Sequence, residues 1–344
     1  MTARVAVIGL GYFSHFHLAA WAAHPDAELV GVTDLDPARN AWAAATFGAQ
    51  AFEDAAGVLA QNPDIVDIVA PPPAHAALIR QSLARGRVII CQKPYCTSIA
   101  EAAAVTAEAE AAGTTVVIHE NFRFQPWHRT LGQVLHAGEL GQIFQARFYL
   151  RPGDGRGANA YLDRQPAFRT MERLLVHETG VHFIDLFRWL LGEITHVYAD
   201  LRQLNPVLAG EDAGVLMMDH AGGAQSVFDG NRLADHATDN PRRTMGEMWI
   251  EGARGTVRLD GAGRIWRRAF GAQDEEAVPL VAAVDDAVFG GGCVAALIDH
   301  VVAARAAGAG FENTAAAYLP VMRATEAAYQ SAETGRKVAV GPSA

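Results

Sequence analysis

Cysteine, basic charge and long apolar runs are all scarce in this chain of 344 residues. Its three cysteines, Cys91, Cys96 and Cys293, make no disulfide framework and match no zinc-binding spacing, so we expect a reducing cytoplasm, with Cys91 as a buried thiol. The 28 basic residues are outnumbered by 38 acidic ones, and a net charge of −10 repels nucleic-acid phosphates and anionic membrane surfaces. No uninterrupted apolar run approaches the roughly 18 residues that span a bilayer. We therefore expect no nucleic-acid partner and no membrane partner.

The remaining composition is that of a folded protein large enough for two domains. Half of the residues are hydrophobic and 19% are charged, which argues against intrinsic disorder. A chain of 344 residues can build two domains with sizeable cores. The first apolar segment starts at Arg4 and is typical of a strand, so we expect no signal peptide.

The order of elements near the N-terminus is the most informative feature. An apolar run at residues 4–8 breaks at Gly9 and Gly11, a helical stretch follows, and a second apolar run at residues 29–33 ends at Asp34. Gly9 allows a tight turn, Gly11 lets the backbone approach a pyrophosphate, and the helix presents its first N–H groups to the phosphates. Asp34 lies near the expected offset of about 20 residues and can accept both hydroxyls of an adenosine ribose. The pattern predicts a dinucleotide site, against the alternative of an ordinary glycine-rich turn.

The first 121 residues continue the alternation of strands and helices. Crossovers of helical length between strands imply a parallel sheet covered on both faces, with ligands bound beyond the carboxyl ends of the strands. We predict an NAD-binding Rossmann domain over residues 1–121. Its further elements are a helix at 37–47, strands at 64–69, 87–91 and 115–119, a helix at 74–85, and a helix opened by a capping box at Ser98 and Glu101.

Beyond residue 121 the pattern changes to strands in series with glycine-rich turns. This arrangement is typical of an α+β domain with a largely antiparallel sheet, and we assign residues 122–344 to this second domain. The predicted elements are helices at 126–137, 178–191, 294–307 and 314–334, the last capped by Asn313, a strand at 143–151, and several strands over 195–269.

Lys93 is the first candidate catalytic side chain. It lies just past the carboxyl end of a predicted strand, where the nicotinamide of a bound dinucleotide is expected. A lysine there can donate to a substrate oxygen and stabilise the charge that develops on it. The alternative is an ordinary surface lysine, which the position relative to the glycine turn disfavours. The Lys93–Pro94 bond is predicted to be cis, because a sharp turn would aim the lysine and X–Pro bonds adopt the cis form most readily.

A second group of candidates lies on the helix predicted at 178–191. A carboxylate one turn from an imidazole can orient the ring and raise its basicity, which suits general acid–base chemistry. The alternative is a structural ion pair beside a satisfied histidine. A metal site formed by His177, Glu178 and His182 is disfavoured, because the five-residue histidine spacing differs from the zincin pattern. The side chains that share one face at α-helical spacing are Glu178, His182, Asp185 and Trp189.

A long polar loop, residues 151–176, contributes the remaining candidates. Loops of this length without regular structure are often functional, and ligands rich in hydroxyl or carboxylate groups need hydrogen-bond donors. The loop is either a substrate lid or a solvated basic loop. Side chains that follow the last predicted parallel strand are expected to reach the same cleft. The candidate side chains are Arg151, Arg156, Tyr161, Arg164, Arg169 and Arg173 in the loop, and Asn121, Arg123 and Trp127 after the strand.

Taken together, these motifs resemble the glucose–fructose oxidoreductase / inositol dehydrogenase family, Gfo/Idh/MocA. The resemblance spans nearly the whole chain, and the combination is specific to the family although no motif is specific to a substrate. The motifs are Gly9-x-Gly11 with Asp34, residues 67–72 followed by His75, Gln92-Lys93-Pro94, residues 121–126, Gly138-x-x-Gly141 and residues 180–185.

The resemblance implies a Rossmann domain followed by a substrate-binding and dimerisation domain, residues 122–344, whose open sheet commonly makes the dimer contact. It also implies reversible hydride transfer between a sugar or polyol carbon and NAD(P). Lys93 matches the lysine of the family's Glu-Lys-Pro motif, His182 matches its catalytic histidine, and Glu178 occupies a position that is often aspartate. Three residues depart from the pattern. Gln92 replaces the glutamate and removes a charge beside Lys93, Glu178 is one methylene longer than aspartate, and Ser14 replaces the third glycine.

We therefore predict an NAD-dependent dehydrogenase of a sugar, polyol or related hydroxy compound. In this prediction His182 accepts the hydroxyl proton, Lys93 polarises the same oxygen, and Glu178 orients the imidazole. NAD is expected over NADP, because Asp34 would repel a 2′-phosphate, although Arg39 lies near enough to swing toward one. Two alternatives stay open. One is a net non-redox enzyme that retains NAD, and the other is a ligand-sensing regulator, which the presence of both Lys93 and His182 disfavours.

The expected contacts follow from these motifs. No metal is expected, and the partners are a carbohydrate-like small molecule and further copies of the chain, as a homodimer or homotetramer. The substrate contacts are Lys93, Arg123, Trp127, Arg151, Tyr161, Arg169, Glu178 and His182. The cofactor contacts are Gly9, Gly11, Tyr12, Phe13, Asp34, Ala70, Pro71, Pro72, His75, Gln92, Lys93 and Asn121.

Overall fold

The computed structural model, which describes residues 2–341, begins with a five-stranded sheet. The strands are β1 (Ala3–Ile8), β2 (Ala27–Thr33), β3 (Ile65–Ile68), β4 (Val88–Cys91) and β5 (Thr115–Ile118). They pair in parallel in the order β2-β1-β3-β4-β5. Every residue of β3 and β4 is buried, as expected of central strands in a covered parallel sheet. The predicted Rossmann-type sheet is confirmed.

Local signals set the ends of the helices between these strands. Asp36 accepts the amide of Ala38 at the start of the second helix, and Gly48 ends that helix in the left-handed conformation. Ser98 accepts the amide of Glu101, which confirms the N-cap of the predicted capping box, while the Glu101 carboxylate accepts the amide and hydroxyl of Thr97. The helices are α1 (Ser14–Ala23), α2 (Pro37–Phe47), α3 (Ala55–Leu59), α4 (Pro72–Ser82) and α5 (Ile99–Ala111).

A later segment, Val294–Leu319, completes this first unit, although the sequence analysis assigned it to the second domain. The segment holds most of α8 (Cys293–Ala307) and the start of α9 (Ala315–Thr334). The amide of Ile118, at the end of β5, donates to the carbonyl of Asn313 over 2.7 Å. The side chain of Asn313 donates to the carbonyl of Glu120 and does not cap α9, contrary to the prediction. Thr314 accepts the amide of Ala317 at that helix start.

The second unit comprises Phe122–Cys293 and the chain from Pro320 onward, and it holds a nine-stranded sheet. Its strands are β6 (Ile143–Leu150), β7 (Ile194–Arg202), β8 (Ala213–His220), β9 (Gln225–Asn231), β10 (Gly246–Gly252), β11 (Gly255–Leu259), β12 (Ile265–Ala269), β13 (Glu276–Val278) and β14 (Val338–Ala339). The order is β13-β12-β11-β10-β6-β9-β8-β7-β14. Only the β6–β9 pair is parallel, which confirms the predicted largely antiparallel sheet. Its helices include α6 (Pro126–His136) and α7 (Val181–Leu191).

One segment of the described chain is long and apolar enough to cross a membrane by length and composition alone. It is Phe289–Ala307, with a mean hydropathy of 1.3 over an 18-residue window, which the sequence analysis did not anticipate. Residues within it, such as Leu297, Ile298 and Val301, have no exposed surface. A core helix of a globular protein passes the same test, so this segment is weak evidence for a membrane span.

Candidate functional site

The turn after β1 has the geometry that a pyrophosphate site requires. Gly9 has a φ of +96°, and a Cβ at this position would lie 2.7 Å from the backbone nitrogen of Ala70. Its amide donates to the carbonyl of Thr33 over 2.8 Å, which ties the turn to the end of β2. Gly11 differs, because a Cβ there would meet nothing within 4 Å. The fold itself requires Gly9, whereas Gly11 leaves open space just before α1, which fits the approach of a dinucleotide phosphate.

Asp34 lies directly after β2 and is held in one orientation. Its Oδ2 accepts the amide of Leu10 over 2.6 Å, and its Oδ1 accepts the amide of Asp36 over 2.9 Å. The guanidinium of Arg39 lies 3.5 Å from the same Oδ2, and the Asp34 side chain is 11% exposed. The acid is therefore fixed at the place where this kind of fold presents one to the adenosine ribose.

Two neighbouring residues predicted to contact the cofactor differ in their surroundings. Tyr12 is 56% exposed and helps to line a cavity of about 540 Å³ beside Gly11. Phe13 packs edge-on against the buried rings of His17 and His119, with centroids 5.6 and 6.2 Å away. Tyr12 has its side chain available to a ligand, whereas Phe13 contributes to packing beneath the turn.

His75 joins two turns at the carboxyl ends of β3 and β4. Its Nε2 lies 2.8 Å from the carbonyl oxygen of Ala70, and its Nδ1 lies 2.9 Å from that of Tyr95. Burial lowers the pKa of this imidazole, because the protonated ring loses its hydration. Pro71 precedes α4 and Pro72 begins it, so this turn enters a helix at once. His75 therefore links the turn after β3 to the turn after β4 through their main-chain carbonyl groups.

Lys93 follows β4 as predicted, and its bond to Pro94 is cis, which confirms that prediction. The lysine is half-buried, and its amide donates to Oε1 of Gln92 over 3.1 Å. Gln92 is 8% exposed, and its Nε2 lies 2.9 Å from Nε2 of His17. Asn121, the last residue before the second unit, is 2% exposed. The turn that carries Lys93 is therefore attached to a buried polar network.

In the second unit, the helix predicted at 178–191 begins later than expected. Leu175–Gly180 form a π-helix, and α7 starts only at Val181. A π turn has i→i+5 hydrogen bonds, so residues on its two sides do not follow α-helical spacing. The predicted single α-helical face through Glu178 and His182 is therefore wrong. Such π segments frequently mark functional sites.

His182 occupies the first turn of α7 and is 5% exposed. Its ring stacks on that of Phe122, with centroids 3.9 Å apart and planes 3° from parallel. Phe183 packs edge-on against the same Phe122 ring and stacks on Phe148. The aromatic partner fixes the plane of the imidazole, which a positioned acid–base group requires.

Glu178 is held by a buried arginine that the sequence analysis missed. Arg232 is 1% exposed, and its Nη2 donates to Oε2 of Glu178 over 2.8 Å. The hydroxyl of Thr179 donates to the same oxygen over 2.5 Å. Arg232 also contacts Asp154 and Tyr161. The carboxylate is thus part of an ion-pair cluster, and its orienting effect on the imidazole of His182 stays a prediction.

The loop at 151–176 is packed against its own unit. Tyr161 is buried, and its hydroxyl donates to Asp154 over 2.9 Å. Arg151 pairs with Asp229 over 2.8 Å, and Arg169 donates to carbonyl groups of the loop itself. This packing does not fit a solvated basic loop, and a role as a lid stays a prediction. Apolar residues of the loop pack together with Leu208 in one hydrophobic cluster, which comprises Ala160, Tyr161, Phe168, Leu174 and Leu208.

Arg123 and Trp127 lie inside the second unit. Arg123 is 7% exposed and makes a bidentate pair with Asp185, at 2.9 and 2.5 Å. Trp127 has no exposed surface, and its indole N–H donates to Gln125 over 2.7 Å. Both side chains are buried and bind groups of their own unit, and their contact with a substrate stays a prediction.

No group of three histidine, cysteine, aspartate or glutamate side chains is placed to hold a metal ion among residues 2–341. The disfavoured metal site needed Glu178 as a ligand, and that carboxylate binds Arg232.

Sequence reasoning also missed Asp67, although a signal was present. Asp67 lies within the apolar run of β3 and has no exposed surface. A buried carboxylate needs hydrogen-bond donors, so an acid in such a run predicts a polar partner nearby. The structure supplies His17 and Trp21, each 2.7 Å from Oδ2.

Comparison with known proteins agrees with this geometry. Residues 3–120 match the GFO_IDH_MocA oxidoreductase family with an NAD-binding Rossmann fold, and residues 128–258 match the GFO/IDH/MocA C-terminal domain. A D-apiose dehydrogenase of Paraburkholderia graminis is 35% identical over 76% of this chain and 68% of its own length. A D-apiose dehydrogenase of Rhizobium rhizogenes is 30% identical over 98% of this chain and 97% of its own length.

A solved structure extends the likeness to the whole fold. The crystal structure of an oxidoreductase from Agrobacterium radiobacter, in complex with NAD+, L-tartaric acid and magnesium, has a TM-score of 0.89 and 28% identity. The structural match covers 99% of this chain and 99% of the Agrobacterium protein. The predicted resemblance is confirmed: the chain belongs to the Gfo/Idh/MocA family of NAD-binding oxidoreductases.

Proposed function

We propose that the protein is an NAD-dependent dehydrogenase that oxidises a hydroxyl group of a sugar, polyol or related compound. The observation that carries the proposal is the place of Lys93, half-buried on a turn at the carboxyl end of β4. Ligands bind such sheets at that end of the strands. The substrate class draws support from the two relatives named D-apiose dehydrogenase.

The proposed roles divide the chemistry between two side chains. NAD, when bound, supplies the hydride acceptor. His182 takes up the proton of the substrate hydroxyl, and Lys93 donates a hydrogen bond to a substrate oxygen and stabilises the negative charge that develops there. Glu178 orients the imidazole. General acid–base catalysis of this kind contributes about 10²- to 10⁴-fold. In the reductive direction the same groups act in reverse.

The direct test is a screen of sugars and polyols, including D-apiose, with NAD and with absorbance of NADH as the readout. We expect NADH to form in proportion to the substrate consumed. Mass spectrometry of the denatured protein would show whether NAD is retained. Substrate turnover with retained NAD and no net NADH would contradict the dehydrogenase and favour a net non-redox reaction. Ligand binding with no turnover of any kind would favour a regulator.

Substitution of Gly9 or Gly11 by alanine separates folding from cofactor binding. We expect Gly9→Ala to destabilise the fold by about 1–3 kcal/mol, because the residue has positive φ and its Cβ would meet backbone. Gly11→Ala should leave the melting temperature of the free protein unchanged but weaken NAD binding by about tenfold or more. Thermal unfolding and titration calorimetry measure the two effects. Unchanged NAD affinity in Gly11→Ala would place the pyrophosphate elsewhere.

Asp34 is proposed to select NAD over NADP. Removal of its carboxylate in Asp34→Ala should lower the ratio of kcat/KM for NAD to that for NADP by about tenfold or more, because a 2′-phosphate is no longer repelled. Arg39→Ala is the matched control, since Arg39 is the cation 3.5 Å from this acid. It should leave the ratio unchanged or raise it. An unchanged ratio in Asp34→Ala would show that another residue selects the cofactor.

We also propose that the enzyme is cytoplasmic. The three free cysteines are buried, in keeping with a reducing compartment.

We further propose that a second copy of the chain covers the face of the nine-stranded sheet that carries Tyr198, Met217 and Trp249. Tyr198, Met217 and Trp249, on β7, β8 and β10, are 37%, 37% and 40% exposed and lie in one register row. Apolar side chains grouped on one sheet face are typical of an interaction surface. Light scattering should give at least twice the chain mass of 36.7 kDa.

A further inference from the structure

We propose that a buried pair, His17 and Asp67, is a positioning device that acts through Gln92 to hold the backbone of Lys93. The inference rests on the proposed catalytic role of Lys93. All of these residues belong to the first unit, and neither His17 nor Asp67 has any exposed surface. Neither residue is a catalytic group in the proposed reaction.

The contacts form one chain from the core to the lysine. Oδ2 of Asp67 lies 2.7 Å from Nδ1 of His17 and accepts the indole N–H of Trp21 over 2.7 Å. Nε2 of His17 lies 2.9 Å from Nε2 of Gln92. Oε1 of Gln92 accepts the amide of Lys93 over 3.1 Å. The contacts from Trp21 and Asp67 to Gln92 are buried, and the last one, to Lys93, is partly buried.

A single backbone donor determines the orientation of every other member. The N–H of Lys93 can only donate, so the group of Gln92 that faces it must be the carboxamide oxygen. The NH₂ group of Gln92 then points at His17 and at Nδ1 of His119, 3.3 Å away. An NH₂ group only donates, so Nε2 of His17 must be an acceptor and its proton must lie on Nδ1, toward Asp67. The imidazole of His17 is therefore neutral with a defined tautomer.

The same argument from donors and acceptors explains why glutamine fits at position 92, where the Gfo/Idh/MocA family has glutamate. A carboxylate at position 92 has no donor, so it would require a proton on Nε2 of His17 as well as on Nδ1. His17 would then be an imidazolium between two carboxylates, Asp67 and residue 92. The net charge of the three side chains would be −1 in both cases. Gln92 lets the network hold Lys93 without a second buried carboxylate.

The first test replaces the ring of His17 by one of similar shape without nitrogen. His17→Phe should lower kcat by about tenfold or more, because the Gln92 amide loses the acceptor that orients it. The affinity for NAD should stay within a few-fold, since the glycine turn and Asp34 are untouched. The matched control is His24→Phe, at the C-terminal end of the same helix and outside the network, which should leave kcat unchanged.

The second test, Gln92→Glu, keeps the size of the side chain and adds a carboxylate. We expect this variant to take up one proton at His17, so nitrogen-detected NMR should show both ring nitrogens protonated, whereas the native protein shows the proton on Nδ1 alone. Its kcat should stay within a few-fold of the native value, because residue 92 still accepts the amide of Lys93 and still bonds to Nε2 of His17.

The outcomes separate this inference from the proposed function. Full turnover in a folded His17→Phe protein, or only one protonated ring nitrogen at His17 in Gln92→Glu, would overturn the positioning role while leaving the dehydrogenase intact. If His17→Phe fails to fold, the NMR spectrum of Gln92→Glu decides the matter. Full turnover in a variant that lacks the Lys93 ammonium would instead overturn the proposed role of Lys93, whatever the state of His17.

Discussion

Lys93→Met is expected to lower kcat by about 10²- to 10³-fold, because it removes a donor that acts on charge developing in the transition state. Methionine keeps the unbranched apolar stem of lysine, so the packing of the half-buried stem should change little. The affinity for NAD should stay within a few-fold, since the lost interaction stabilises the transition state more than the bound state. Steady-state kinetics and titration calorimetry measure the two quantities.

The chain offers a matched control for this substitution in its other lysine, Lys337. That side chain is 48% exposed and pairs with Asp219 on the nine-stranded sheet. Lys337→Met should leave both kcat and cofactor affinity unchanged. Native turnover in Lys93→Met would remove Lys93 from the mechanism, and an equal loss in both variants would indicate a general effect of lysine removal on the fold.

His182→Asn is expected to lower turnover by about 10²- to 10⁴-fold and to abolish the fall of the oxidation rate at acidic pH. An imidazole base works only when it is deprotonated, so its loss removes that limb of the profile. Asparagine is small enough for the site but loses the ring that stacks on Phe122. Measurement of kcat against pH for sugar oxidation tests the prediction.

His136→Asn is a suitable control, because His136 is exposed at the end of α6 and has no proposed role in the reaction. It should retain the native pH profile. If the acidic limb persists in His182→Asn, another group is the base, and Glu178 is the next candidate. A Glu178→Gln variant would then be expected to lose the limb that His182→Asn kept.

Sequence alone predicted those parts of the fold whose signals are local. The second helix starts at Pro37 because proline suits the first helical position and Asp36 caps it, and it ends at a left-handed Gly48. The capping box at Ser98 and the glycine turn at Gly9 were visible for the same reason. In each case, residues adjacent in the sequence are sufficient to determine the local structure.

Long-range contacts explain what the sequence could not predict. Arg232 binds Asp154 and Glu178, which lie 78 and 54 residues away, and a lone arginine after a strand carries no sign of such partners. The π-helix before α7 was hidden because Glu178, His182 and Asp185 also fit the spacing of an uninterrupted α-helix. The ion pair of Arg123 was hidden for the same reason as that of Arg232, because Asp185, which accepts from its Nε and Nη2, lies 62 positions along the chain.

The construction of the first unit from two separate stretches limits its modularity. A fragment that ends at Asn121 would leave Glu120, which has no exposed surface, without the partners Asn313 and Tyr318. An engineer who wishes to transplant the nucleotide-binding half must therefore move the late stretch with it. On the ribosome, the same half is unfinished until Leu319 has emerged, after most of the other unit has been synthesised. Such a chain departs from the simple order in which N-terminal domains fold first.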